Sequence, residues 1–123
     1  MKLYVDDLRK CPEGWTLART NTEAIRLLAT GYVEEISIDH DICVPNVQFV
    51  NEVVRKRLAI GEETFQPVAY YLATMPESMR PSTINFHTAN PEGAAKMKSI
   101  LDAAGISSTY TQGAYLIDFE GEL

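Results

Sequence analysis

The residues of this 123-residue chain whose types could do chemistry fall into three short groups: Asp6-Asp7, Asp39-His40-Asp41 and His87-Thr88-Ala89-Asn90-Pro91. Neighbouring carboxylates such as Asp6 and Asp7 repel unless a cation or hydrogen-bond donors offset them. A divalent metal suits them, and so does a turn capped by one with the other solvated. In Asp39-His40-Asp41 two carboxylates flank an imidazole. That arrangement serves either a metal or a histidine oriented by a carboxylate, the plain alternative being a solvated strand end with a satisfied histidine. His87 comes with a hydroxyl on Thr88 and with a helix start, Asn90 as N-cap and Pro91 in the first position, which can hold an anion. Only two histidines exist in the chain, each directly after a β-prone run, so they are expected to meet in one crevice. Arg9 and Arg19 lie just past strand ends and are candidate phosphate clamps; Thr88 and Asn90 are candidates for holding the same anion.

Those groups must be positioned by the elements that precede them. Lys2 to Val5 reads as a strand stopped by Asp6 and Asp7. The turn-like Pro12-Glu13-Gly14 leads into a second strand over Trp15 to Arg19. Thr20-Asn21-Thr22-Glu23 has the pattern of a capping box, followed by Ala24, Ile25, Leu28 and Ala29 at helical spacing and a stop at Gly31. Glu35 to Ile38 is a third strand. Phe49, Val50, Val53, Val54 and Leu58 form an apolar helical stripe. Between Gly61 and Pro81 the pattern is hardest to read, with a helix favoured over Val68 to Met75. Ser82 to Phe86 is a fourth strand, and Met97, Ile100, Leu101 and Ala104 the buried stripe of a helix closed by Gly105. Tyr115 to Phe119 is expected as the last strand. Strands alternating with helices predict one α/β domain over residues 1–123, its mostly parallel sheet covered by helices on both faces. Ligands in such sheets sit outside the carboxyl ends of the strands, where all three polar groups fall.

Composition narrows the partners. Hydrophobic residues make up 46% and charged residues 23%, as in an ordinary globular protein. A net charge of −6, with no basic run beyond Arg55-Lys56-Arg57, argues against a surface that coats nucleic acid. No membrane span or leader is expected, and Cys11 and Cys43 are read as free thiols; together these point to the cytoplasm.

An Asp-Asp pair after the first strand, Asp39 after the third and Thr88 after the fourth resemble the response-regulator receiver fold, in which such acids hold magnesium beside a phosphorylated aspartate. More closely, Val5-Asp6-Asp7-Leu8-Arg9, Ser37-Ile38-Asp39-His40-Asp41 and His87-Thr88-Ala89-Asn90-Pro91-Glu92-Gly93 resemble the cyclic-phosphate-processing receiver domains of bacteria and phages. Those carry a V-D-D-x-R start, a D-H-D centre and an H-[ST]-x-N-P element. The chain departs from the receiver pattern in having no lysine in Ala114 to Asp118. The helix usual between the first two strands is replaced by a turn over Leu8 to Gly14.

Residues and resemblance together imply a metal-assisted phosphoesterase or related hydrolase for a cyclic or terminal phosphate of a nucleotide or RNA end. Asp6, Asp7 and Asp39 would hold one divalent cation, magnesium or manganese by the hardness of the ligands. His40 and His87 would act as base and acid, Asp41 would orient a histidine, and Arg9, Thr88 and Asn90 would meet the substrate. Two alternatives stand beside this reading: a module that sequesters a nucleotide signal without turnover, and a stand-alone receiver phosphorylated on Asp39.

Overall fold

In the computed structural model, which describes residues 1–42 and 64–112, five strands share one parallel sheet. They are β1 (Lys2–Val5), β2 (Thr16–Ala18), β3 (Glu35–Ile38), β4 (Thr83–Thr88) and β5 (Thr109–Gln112), in spatial order β2-β1-β3-β4-β5. The helices are α1 (Asn21–Leu28), α2 (Gln66–Thr74) and α3 (Pro91–Ala103). This is the receiver-like α/β architecture expected from the sequence. The strand order reverses at β1 and β3, which puts the ligand crevice outside their carboxyl ends.

Period-two alternation divides the side chains between two unlike faces. Leu3, Val5, Ile36, Ile38, Ile84 and Phe86 point one way and form the core with Ala24 and Leu28 of α1, Val68 and Leu72 of α2, and Met97 and Leu101 of α3. Each fully buried Leu, Ile or Phe in such a core contributes about 1.5–3 kcal/mol. Tyr4, Ser37, Asn85 and His87 point the other way. Among the described residues the helices lie on the apolar face only, α1 against α2 and α2 against α3. The reason is visible in the β1–β2 crossover, which contains no helix. It turns instead at Pro12, whose carbonyl accepts from the Trp15 N–H at 3.2 Å, and at Gly14, whose φ is +85°.

The helix ends follow their local chemistry. Thr20 caps α1 by accepting from the Glu23 N–H at 3.1 Å, and the Glu23 carboxylate reaches back one residue further than a standard box, to the Arg19 N–H at 3.2 Å. Asn90 caps α3 by accepting from the Gly93 N–H at 3.0 Å, with Pro91 in the first turn. Of the stripe expected on α3, Met97 and Leu101 are buried. Ala104 is exposed because the helix ends at Ala103 and Ala104 is its C-cap. The helix favoured over Val68 to Met75 spans Gln66–Thr74, with Met75 leaving it in an extended conformation. Trp15 and Arg19 fall outside the second strand, which is shorter than expected.

The fifth strand precedes the one expected. Thr109–Gln112 has no apolar alternation, yet threonine and tyrosine favour extended backbone, and a sheet edge does not require a second buried face. The expected strand over Tyr115 to Phe119 and the apolar stripe from Phe49 to Leu58 lie outside the described residues, as do Cys43 and the stretch Ala114 to Asp118. Among the described residues no helix is long and apolar enough to cross a membrane.

Candidate functional site

Register brings the first and third acids level. Val5 pairs with Ile38 and Ile38 with Phe86, so Asp6, Asp39 and His87 each stand one residue beyond a paired triplet, on the face opposite the core. The ladder continues into the acids, the Asp39 N–H donating to the Val5 carbonyl at 2.8 Å and the Asp6 N–H to the Ala18 carbonyl at 3.1 Å. Asp6, Asp7 and Asp39 can each offer one carboxylate oxygen, and these atoms lie within 4.8 Å of one another. The three acids expected to share one ion therefore converge.

Asp6 is wholly buried and surrounded by donors. Its Oδ1 accepts from the Leu8 N–H at 2.9 Å and the Arg9 N–H at 2.8 Å. Its Oδ2 accepts from Arg9 Nη1 at 2.9 Å and from His87 Nε2 at 2.9 Å. A carboxylate has about four lone-pair positions, so protein donors fill this one. Arg9 Nη1 also lies 3.2 Å from Asp39 Oδ2, so the guanidinium bridges the two acids. Arg19, expected as a clamp, instead donates to the carbonyls of Arg9 at 2.9 Å and Asp6 at 3.4 Å, and thereby holds the loop that carries Asp7 and Arg9.

The two neighbouring acids have opposite electrostatics. Burial would raise the Asp6 carboxyl, but hydrogen bonds from His87, Arg9 and Leu8 outweigh it and bring it down to about 2. Burial and then the charge of Asp6 push Asp39 up to about 6, against the His40 N–H, Arg9 and His87. Asp6 is a satisfied anion, whereas Asp39 is one that a further cation would stabilise.

The two histidines do not meet. His87 lies flat on Tyr4, with ring centroids 4.3 Å apart and 5° between planes, and touches Asp6. His40 turns toward the helices: its ring packs on Gly93 of α3, its Nδ1 donates to Asp41 Oδ1 at 2.8 Å, and its Nε2 accepts from Gln66 Nε2 at 3.0 Å. Asn90 Nδ2 approaches the same Asp41 carboxylate at 3.3 Å. The hydroxyl of Thr88, almost wholly buried, accepts from the Asn90 N–H at 3.1 Å. His40, Asp41, Thr88 and Asn90 thus form a second group, which fixes the start of α3 behind the acids. The expected base–acid pair is divided by physical parity: His87 leaves its strand on the open face, and His40 follows Asp39 on the other side.

A family model for the cyclic-phosphate processing Receiver domain matches residues 1–103. The chain belongs to that family. No curated protein and no solved structure matches it. The match spans both groups of residues, so this cyclic-phosphate processing Receiver domain holds its acids and its α3 anchor within one family unit.

Gly93 is what allows the anchor. A Cβ there would lie 2.4 Å from His40 Cγ and Nδ1, and the ring cannot retreat while Asp41 and Gln66 hold its two nitrogens. Gly to Ala inside a helix ordinarily stabilises by up to about 1 kcal/mol. Here Gly93→Ala should destabilise by about 1–3 kcal/mol from overpacking, read as a lower melting temperature. A rise in melting temperature would mean that the His40 ring is not packed as described.

Sequence reasoning missed Ser37, Tyr4, Asn85, Gln66 and Gly93. A signal for two of them was present: Ile36-Ser37-Ile38 and Ile84-Asn85-Phe86 each put a polar residue between two apolar ones on a central strand, which marks a polar second face.

Proposed function

We propose that this receiver-like domain is a metal-assisted phosphoesterase, or a related hydrolase, acting on a cyclic or terminal phosphate of a nucleotide or RNA end. The observation that carries the reading is the convergence of three carboxylates within 4.8 Å at the carboxyl ends of β1 and β3, beside a histidine proton. The donor set fits a hard divalent cation, magnesium or manganese, because it is all oxygen and because burial, and then the charge of Asp6, raise Asp39, which a cation would offset. Asp6, Asp7 and Asp39 would hold the ion, Asp6 by giving up one of its four protein donors, and the ion when bound would offset the charge on phosphate oxygens.

The chain's own residues supply the rest. Asp6 Oδ2 is shared by Arg9 and His87, so a phosphate oxygen arriving there competes for both donors. Arg9 can turn its guanidinium from carboxylate to phosphate, both being good partners for it. As a water attacks phosphorus and the ester P–O bond breaks, His87 passes its Nε2 proton to the leaving oxygen and recovers one from the attacking water, so the ring ends as it began. His40 and Asp41 act at a distance, by setting where α3 begins.

A sequestering module remains a second reading on one observation, the Arg9 bridge, which offers a phosphate a cation without any metal. Turnover separates the two. Incubating the protein with 2′,3′- and 3′,5′-cyclic nucleotides, with magnesium or manganese or with chelator, should give ion-dependent ring opening of at least one. Tight binding without product in every condition would replace the hydrolase by the sequestering module.

A further inference from the structure

Across the open face of the sheet runs a continuous chain of side-chain hydrogen bonds that passes through His87 to Asp6. Thr109 Oγ1 lies 2.8 Å from Asn85 Oδ1, and Thr111 Oγ1 lies 3.3 Å from it. Asn85 Nδ2 lies 3.3 Å from Ser37 Oγ, Ser37 Oγ 2.6 Å from His87 Nδ1, and His87 Nε2 2.9 Å from Asp6 Oδ2. Three strands, β5, β4 and β3, contribute to it before it reaches β1.

The direction of this chain is fixed from its Asp6 end. Asp6 accepts from two backbone N–H groups and a guanidinium, so it is the carboxylate and favours a hydrogen on the Nε2 that faces it. In a neutral ring Nδ1 is then the acceptor, so the Ser37 hydroxyl donates to it. Ser37 Oγ in turn accepts from the Asn85 amide N–H, which leaves Asn85 Oδ1 to accept from both threonines. Every atom is satisfied in this one sense. In the reverse sense the Nδ1 tautomer would set a bare Nε2 lone pair against the carboxylate. A buried serine between two isoleucines is costly unless its hydroxyl has partners, and Ser37 has two.

We infer that Ser37, oriented by Asn85, is a positioning residue that acts with Asp6 to hold His87 as the Nε2–H tautomer, Asp6 favouring a hydrogen on Nε2 and the Ser37 hydroxyl disfavouring one on Nδ1, and so keeps the ring's proton on the side of the acidic cluster. The inference rests on the reading of His87 as proton donor but concerns the ring alone. It is tested without substrate, so a protein that never turns over phosphate could still bear it out. Tyr4, stacked on the same ring, restrains its plane but has no say in which nitrogen carries hydrogen.

The measurement is a long-range nitrogen–proton correlation spectrum of the imidazoles in chelator-treated protein, above the range where histidine is protonated. Wild type should show His87 with a protonated Nε2 and an unprotonated, hydrogen-bond-accepting Nδ1. In Ser37→Ala the two nitrogen shifts should move toward each other as the tautomers mix, and Ser37→Thr, which keeps a hydroxyl on a strand, should restore the wild-type pattern. A wild-type His87 protonated on Nδ1 overturns the inference even if neither variant folds. So does a Ser37→Ala spectrum unchanged from wild type. Assignment of the His40 pair, held by Asp41 and Gln66 in the opposite Nδ1–H form, supplies the internal contrast in the same spectrum.

Discussion

Replacing Asp6 by alanine should lower the melting temperature of the chelator-treated protein at pH 7 by roughly 10 °C or more. Four donors lose their acceptor at once: the Leu8 and Arg9 N–H groups, the Arg9 guanidinium and His87 Nε2. Removing one partner of a buried ion pair typically costs about 3–5 kcal/mol, and relief of the repulsion on Asp39 returns only part of it. About 3 kcal/mol in a domain of this size corresponds to a shift of roughly 10 °C. The sign with pH follows from the direction of the shift. The Asp6 carboxyl stands at about 2, below its ordinary value, so its contribution is complete above the usual carboxylate range. It is lost as pH falls from there toward 2, and the gap between wild type and variant should narrow with it. Asp39→Asn should behave in the opposite way. Asp39 is held above its ordinary value, so a neutral isostere that still accepts from the His40 N–H should leave the metal-free melt unchanged or higher at pH 7. Equal losses in the two variants would contradict the division of the pair into a satisfied and an unsatisfied acid.

Replacing His87 by alanine should reduce turnover of a cyclic nucleotide by about 10²–10⁴, the usual cost of losing a general acid. The melting temperature should fall far less than in Asp6→Ala, because Arg9 and two N–H groups still satisfy Asp6. His40→Ala removes a ring that packs on Gly93 and anchors Asp41, and lies on the other side of the sheet from the acids. Its expected signature is lowered stability with residual turnover, the reverse of His87→Ala. Near-wild-type turnover in His87→Ala would remove His87 from the chemistry.

Much of the site was legible because strand ends are written locally. Asp6, Asp7 and Asp39 follow apolar runs that can only be strands, and a parallel sheet places such ends side by side, so convergence needed no contact information. The capping roles of Thr20 and Asn90 were equally local. The fate of the histidines was not, because it depends on which face each leaves its strand from. His87 falls in phase with Ser37 and Tyr4 on a face that carries no described helix, a consequence of the missing β1–β2 helix. His40 lies beyond its strand, where Gly93, distant in sequence, provides the space for its ring. The partners of Arg9 were hidden for a related reason: a guanidinium just past a strand end suits phosphate and carboxylate alike, and only the level register of β1 and β3 shows that two carboxylates are within its reach. The edge strand Thr109–Gln112 was concealed by its polarity.

The measurement that bears most directly on the whole account is a titration of the chelator-treated protein with manganese, with magnesium as competitor, on wild type and Asp39→Asn. One ion should bind per chain to wild type. Its affinity should fall about tenfold per pH unit once pH drops below about 6, where a proton competes for Asp39. Asp39→Asn should bind at least tenfold more weakly at pH 7.5 and lose that pH dependence. A wild-type chain that binds no divalent ion, or an Asp39→Asn chain that binds as tightly as wild type, would contradict a metal-assisted site at these three acids.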